Sequence, residues 1–253
     1  PDIILIVADY INYNILRQSR CPNIKTMMGS GANFTKAYNY GGSGGAVCKS
    51  SRQMTFFGQP WDKISGNSPF PAKLRQHGYH TFATGKWHNS GDAFSDCFES
   101  YRDVFFGGMI SRRSQLATPT DGDKLGKRLP GGVFAPALTQ YITNYRNSQP
   151  YFAYIGFTEP HDPLHLINQG NGNTARLPAN FQPRHPFDFG QTHHRDEKLM
   201  PRPLRRSRVQ KNILRYMSMM TYLDSNIGTI IQSLTRPTVV IFTTDNGICK
   251  GTH

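Results

Sequence analysis

An α/β fold with a mainly parallel central sheet flanked by helices is what this sequence predicts, and three observations predict it. Several short, β-branched apolar runs do not alternate with polar residues, the pattern of strands buried on both faces. Helical periodicity fills the stretches between them. Each run also ends in polar, ligand-capable residues, and open parallel sheets bind ligands beyond the carboxyl ends of their strands. With 253 residues the chain can form one large α/β domain or two small ones around a substantial core.

The strand-like runs, in order, are 3–8 (IILIVA), the weaker 79–83 (YHTFA), 151–157 (YFAYIGF) and the strongest, 238–243 (TVVIFT). A helix is predicted over 71–77, stopped by Gly78 as a C-cap residue. A second is predicted over 135–147, with Leu138, Tyr141, Ile142 and Tyr145 on one face. The longest helix is predicted over about 207–234, where Val209, Ile213, Tyr216, Met217, Met220, Leu223, Ile227, Ile230 and Ile231 recur at helical spacing. Its methionines read as core packing. Two segments break the rhythm, 111–132 and 165–206, both rich in Pro, Gly, Asn, Arg and His. They are expected to be long functional or disordered loops. No internal repeat is visible.

Charge is lopsided, 29 Lys+Arg against 16 Asp+Glu, or +13 with His neutral. That excess suits an anionic partner. The basic residues cluster in 112–128 and 176–208 without a helix-turn-helix, zinc-finger or aromatic RNA-binding signature, so no nucleic-acid partner is expected. The cysteines Cys21, Cys48, Cys97 and Cys249 are widely spaced, which argues against a structural zinc site and against a dense disulfide framework. No run is long enough to cross a bilayer. Pro1 leads straight into an apolar strand, and the chain stops at His253, so a trimmed start and a truncated C-terminal end are expected.

The stretch GGSGGAVCKSSRQM, residues 41–54, places Arg52 four residues after Cys48. A helix starting near Cys48 puts both on one face, and its N-terminus favours an anionic sulfur or a bound oxyanion. The alternative is a glycine loop leading into a helix with a buried thiol. The strand ends bear on the choice. Run 3–8 is followed by Asp9; 79–83 by Thr84, Gly85, Lys86, Trp87 and His88; 151–157 by Thr158, Glu159, Pro160, His161 and Asp162; and 238–243 by Thr244, Asp245, Asn246 and Gly247. Each has a bland reading, such as a turn at Asn246-Gly247. Together, on one edge, they assemble carboxylates, an amide, a lysine and histidines. Asp9, Asp245 and the Asn246 amide oxygen are hard ligands for calcium or magnesium. Such an ion, with Lys86, Arg52, His88 and His161, suits a tetrahedral oxyanion, and Cys48 or a derivative suits a nucleophile.

At this level PDIILIVADY, CKSSR, GYHTFATGKWH, TEPHDP and FTTDNG resemble, in order and spacing, the site segments of type I, formylglycine-dependent sulfatases of the alkaline phosphatase superfamily. CKSSR is similar to their modification motif Cys-x-Pro/Ala-x-Arg. The resemblance implies that residues 1–253 form an incomplete N-terminal catalytic domain, with a C-terminal subdomain beyond His253 that carries a further sulfate-binding lysine. It also implies oxidation of Cys48 to formylglycine by a formylglycine-generating enzyme. The aldehyde hydrate then attacks the sulfur of a sulfated small molecule or carbohydrate and forms a covalent sulfo-enzyme. His88 assists collapse of that intermediate, and Lys86 and His161 bind sulfate and help the leaving oxygen depart. Arg52 orients the hydrate beside a calcium ion held by Asp9, Asp245 and Asn246. Export to the periplasm or outside the cell is the compartment the family implies. Two departures stand out: Tyr10 replaces the family's second consecutive aspartate, and Ser50 stands where proline or alanine is usual. Two other readings remain, an anion-binding protein without turnover and a phosphodiesterase or phosphonate hydrolase on the same scaffold.

Overall fold

A computed structural model describes residues 1–41, 47–64, 68–108, 130–167 and 206–247. Five strands, β1 (Asp2–Ala8), β2 (His80–Lys86), β3 (Ser100–Phe105), β4 (Tyr151–Gly156) and β5 (Thr238–Thr244), pair in the order β3-β2-β4-β1-β5, every pair parallel. The helices are α1 (Tyr13–Gln18), α2 (Pro22–Ser30), α3 (Cys48–Phe57), α4 (Phe70–Gln76), α5 (Gly91–Cys97), α6 (Gly131–Asn144) and α7 (Arg206–Gln232), with one 3-10 turn at Trp61–Lys63.

The continuous apolar runs serve two cores because successive strand residues point to opposite faces. From β1, Ile4, Ile6 and Ala8 join one cluster and Leu5 and Val7 the other; from β4, Ala153 and Ile155 face one side, Phe152 and Tyr154 the opposite side. The first cluster is sealed by α6 and α7, through Phe134, Leu138, Tyr216, Met220, Leu223 and Ile227. The second is closed by Phe56 of α3, Phe94 and Cys97 of α5, and Trp87. Met217 and Met220 are buried, as their spacing predicts, and so is Met219, which lies outside that pattern.

Differences from the sequence reading have local causes. Strand β3 was not predicted: Arg102 and Asp103 interrupt its apolar content, and a register shift opposite Thr84 and Gly85 coincides with Asp103 at φ 52. Strand β2 runs through Thr84, Gly85 and Lys86, which the sequence reading placed in the following loop. The strongest apolar run, β5, lies at the sheet edge among the described strands, and Val239 and Ile241 are exposed there. Composition cannot distinguish an edge strand from a central one. Helix α6 begins at Gly131, inside the predicted loop 111–132, despite two glycines and Pro136. Its first turn is held by a tertiary bond, Gly131 N–H donating to Glu159 Oε1 at 2.8 Å. Helix α2 likewise lacks a side-chain cap of its own. Asp224 of α7 supplies one, its carboxylate accepting from Asn23 N at 3.2 Å, Asn23 Nδ2 at 2.9 Å and Ile24 N at 2.8 Å. Most of the predicted loops 111–132 and 165–206, and Cys249, lie outside the described residues.

Candidate active site

The carboxyl ends of β2, β4, β1 and β5 lie along one edge of the sheet, and register decides which side chains meet there. Ala8 pairs with Thr244, and Asp245 N–H donates to Ala8 O at 3.1 Å, so Asp9 and Asp245 leave their strands side by side. Gly85 pairs with Gly156, which brings Lys86, the last residue of β2, to the same level. Lys86 Nζ lies 2.5 Å from Asp9 Oδ2, and both side chains are fully buried. Arg52 rises from α3 into the same space. Its Nε donates to Asp245 Oδ2 at 3.0 Å, Nη1 to Lys86 O at 2.8 Å and Tyr154 Oη at 2.7 Å, and Nη2 to Phe157 O at 3.4 Å. Glycine is required at 156 for this approach: a Cβ there would run into Lys86 O, Tyr154 Oη and Arg52 Nη1.

Helix α3 starts at Cys48, and Cys48 and Arg52 are both buried on one face of it, the placement their four-residue spacing predicts. Cys48 Sγ donates to Asp9 Oδ1 at 3.2 Å. One expectation is corrected here. A helix N-terminus should favour thiolate, yet burial first, and then the Asp9 and Asp245 charges, push the Cys48 thiol well above its ordinary value. The unmodified sulfur is therefore a neutral thiol and a poor nucleophile.

The two carboxylates titrate apart, as closely spaced acids do. Burial raises Asp9, but Lys86, Arg52 and His161 outweigh it and hold that carboxyl well below the usual range. Asp245 is pushed up to about 7, by burial first and Asp9 second, with Arg52 opposing. Asn246 is 3 % exposed, and its Oδ1 has no hydrogen-bond partner, while its N–H donates to Asp245 Oδ1 at 2.8 Å. An orphaned amide oxygen beside two carboxylates is the donor set of a hard divalent cation, so these residues fit calcium or magnesium.

The histidines occupy two further sides. His161 follows β4, is 9 % exposed, has Nδ1 2.9 Å from Asp162 O, and packs against Tyr10 with ring centroids 4.1 Å apart and planes tilted by 32°. His88 adopts φ 55, its Nδ1 is buried without a partner, and burial followed by the Lys86 and Arg52 charges lowers it to about 4. It is thus a neutral base at neutral pH. Tyr10 also has positive φ, 65, an uncommon conformation for an aromatic residue and one found at strained functional turns. Its N–H donates to Asp245 Oδ1 at 3.2 Å and its carbonyl accepts from Tyr216 Oη.

Sequence reasoning missed several supports. Tyr154 holds Arg52, and the Asp245 carbonyl is gripped by Ser51 Oγ and by Asn39 Nδ2, the latter at 2.7 Å. Nothing local marks them, because each partner is more than a hundred residues away. Glu159, grouped with the ligand-capable residues after the third run, instead spends its carboxylate on Gly131 N and on Thr158 Oγ1 at 3.3 Å. Asp9, Arg52, Lys86, His161, Asp245 and Asn246 do converge with Cys48, and His88 lies within reach of their charges.

The architecture defines a class first: an α/β fold with an all-parallel central sheet and the candidate site at its carboxyl edge. Two solved structures match it across nearly the whole chain. BT4656, in complex with its substrate D-glucosamine-2-N,6-O-disulfate, has TM-score 0.69 at 15% identity, over 99% of this chain and 66% of its own. The phosphonate monoester hydrolase of Agrobacterium radiobacter has TM-score 0.68 at 15% identity, over 100% of this chain and 64% of its own. Identities this low speak for the fold alone. Among curated proteins, an arylsulfatase of Klebsiella aerogenes is 23% identical over 311 residues, 98% of this chain and 66% of that protein. The chain thus spans just under two thirds of the length of that relative. The family model named Sulfatase matches residues 1–251, and the chain belongs to the sulfatase family.

Proposed function

We propose that this chain carries the catalytic centre of a sulfatase, hydrolysing a sulfate ester with a nucleophile derived from Cys48 and a hard divalent ion. The observation that carries this reading is the buried contact chain Cys48–Asp9–Lys86 beside Asp245–Arg52, assembled from β1, β2, β5 and the start of α3. Asp9, Asp245 and Asn246 would hold calcium or magnesium, which would supply positive charge to the sulfuryl oxygens. Formylglycine at position 48 would supply, as its hydrate, an oxygen nucleophile in place of the unreactive thiol. The chain's own charges support that division of labour. Asp9, ionised, and Asp245, raised to about 7, offset much of the positive charge that Lys86 and Arg52 would otherwise offer an anionic ester. Two further positive charges from a cation tip the balance.

Lys86 and His161 border the sulfur of Cys48 and the Asp9 carboxylate, where they bind sulfuryl oxygens and help the ester oxygen leave. His88, neutral at neutral pH, accepts a proton during release of sulfate. Arg52 clamps Asp245 to the ends of β2 and β4, so it orients the site through the carboxylate and the backbone. The basic residues of 176–208 suit a polyanionic sulfated carbohydrate, the class that BT4656 binds.

The test is parallel assay of aryl sulfate and phosphate esters, with calcium and with EDTA, on protein whose Cys48 peptide is shown by mass spectrometry to carry the aldehyde. Calcium-dependent turnover of the sulfate, lost in Lys86→Ala, is expected. Turnover of the phosphate ester alone would transfer the site to the phosphonate hydrolase reading. Tyr10 favours a weaker variant of the main reading, because its ring lies on His161 and brings no carboxylate. Tyr10→Asp is expected to tighten calcium binding about tenfold by isothermal titration. An unchanged affinity would show that position 10 lies outside the ion's coordination.

A further inference from the structure

We propose that, while residue 48 is still a thiol, Asp9, Cys48 and His161 form a site for a borderline transition ion, zinc above all, that shares only Asp9 with the hard-cation site. One ligand atom from each of the three lies within 4.8 Å of the others, and all three residues are buried. Bond lengths of about 2.3 Å to sulfur and about 2.0 Å to nitrogen or oxygen put neighbouring ligands of a tetrahedral zinc about 3.3–3.6 Å apart. Cys48 Sγ and Asp9 Oδ1 already stand 3.2 Å from one another. That pair therefore already has the separation of two zinc ligands, and the His161 ligand atom lies within 4.8 Å of both.

The surroundings orient each ligand. His161 Nδ1 lies 2.9 Å from Asp162 O, so the ring proton goes to that carbonyl and Nε2 keeps the lone pair. The Tyr10 ring against the imidazole, centroids 4.1 Å apart, limits its rotation. Lys86 occupies Asp9 Oδ2 at 2.5 Å and leaves Oδ1, the oxygen facing sulfur, for an ion. Binding would displace the Cys48 thiol proton to solvent; the resulting thiolate, the Asp9 carboxylate and one neutral imidazole would then neutralise a dipositive ion, and a fourth, exchangeable position would complete it. Thiolate and imidazole select zinc, cobalt or copper over calcium, whereas Asp245 and Asn246 offer only oxygen. Asp9 belongs to both sets, so the two ions exclude each other, and the chemistry at position 48 decides which is held. With sulfur present the soft set wins; once sulfur is gone, only the oxygen set remains.

This inference needs only the thiol and stands independently of sulfate hydrolysis. It is tested on the full chain with Cys48 shown by mass spectrometry to be unmodified. Cobalt(II) titration should produce a sulfur-to-cobalt charge-transfer band in the near ultraviolet with tetrahedral visible bands, and zinc should bleach both. Cys48→Ala should abolish the near-ultraviolet band and weaken zinc binding at least 100-fold; His161→Gln should weaken it comparably while leaving the far-ultraviolet circular dichroism intact. Cys97→Ala should keep the band, since Cys97 is buried in the other core, among Phe94 and Phe98. Retention of the band in Cys48→Ala would overturn the proposal. So would zinc binding weaker than about 10 µM in the unmodified chain. Sulfate turnover of the aldehyde form can succeed or fail under either result.

Discussion

Removing the Arg52 guanidinium tests whether the site is held by a buried ion pair. Arg52 and Asp245 are 3.0 Å apart with both side chains fully buried. Arg52→Met leaves the Asp245 carboxylate without its cation in a low-dielectric site, a loss of about 3–5 kcal/mol. It also removes the donor to Tyr154 Oη and one of two donors to Lys86 O, for about 1 kcal/mol more. The sum, about 4–6 kcal/mol, is a large part of the 5–15 kcal/mol typical of a domain. Asp245→Asn strands the guanidinium in turn. If the pair is the main term, the double variant is more stable than the two single losses predict, with a coupling of about 2–3 kcal/mol. Urea unfolding in EDTA at pH 8 measures it, above the value of about 7 to which Asp245 is raised, so the carboxylate is charged in the wild type. Additivity within about 0.5 kcal/mol would refute the reasoning and leave Arg52 as a neutral-bond donor only.

Three further outcomes follow from the same contacts. Asp224→Ala removes three acceptor contacts at the start of α2 and should cost about 2–3 kcal/mol by chemical denaturation, with Asp224→Asn recovering only part of it because one of the two accepting oxygens becomes a donor. Gly156→Ala should lower the urea midpoint by the equivalent of about 3 kcal/mol or prevent folding, because its Cβ meets backbone and the Arg52 guanidinium; wild-type stability would contradict the packing described. The raised Cys48 thiol carries less thiolate than a free cysteine at any pH up to 8. Metal-free native protein should therefore alkylate at Cys48 at least about 100-fold more slowly than urea-unfolded chain, read by peptide mass spectrometry.

Fold class and most of the residues that converge on the candidate site were legible because both depend on short-range pattern. Apolar runs buried on both faces declare a parallel sheet, and a parallel sheet has one edge where strands end, so the residues following the runs could be grouped without knowing strand order. Cys48 and Arg52 were paired by helical spacing alone. The resemblance of five short segments to known sulfatases then added roles that spacing does not supply.

Strand order, register and charge state were settled only in three dimensions. Asp9 N–H donates to the Glu159 carbonyl at 3.1 Å, but its carboxylate meets that of Asp245, because Ala8 pairs with Thr244 and Gly131 occupies the Glu159 carboxylate. That Cys48 is a neutral thiol follows from a carboxylate 39 residues distant that comes within 3.2 Å of it. Likewise, scattered cysteines argued against zinc in the sequence, while folding places one of them against an aspartate and a histidine far along the chain. The physical reason is common to all three. Propensity and periodicity act over a turn or a strand, but pKa values, ligand sets and ion pairs depend on distances between segments remote in sequence, and folding alone sets those distances.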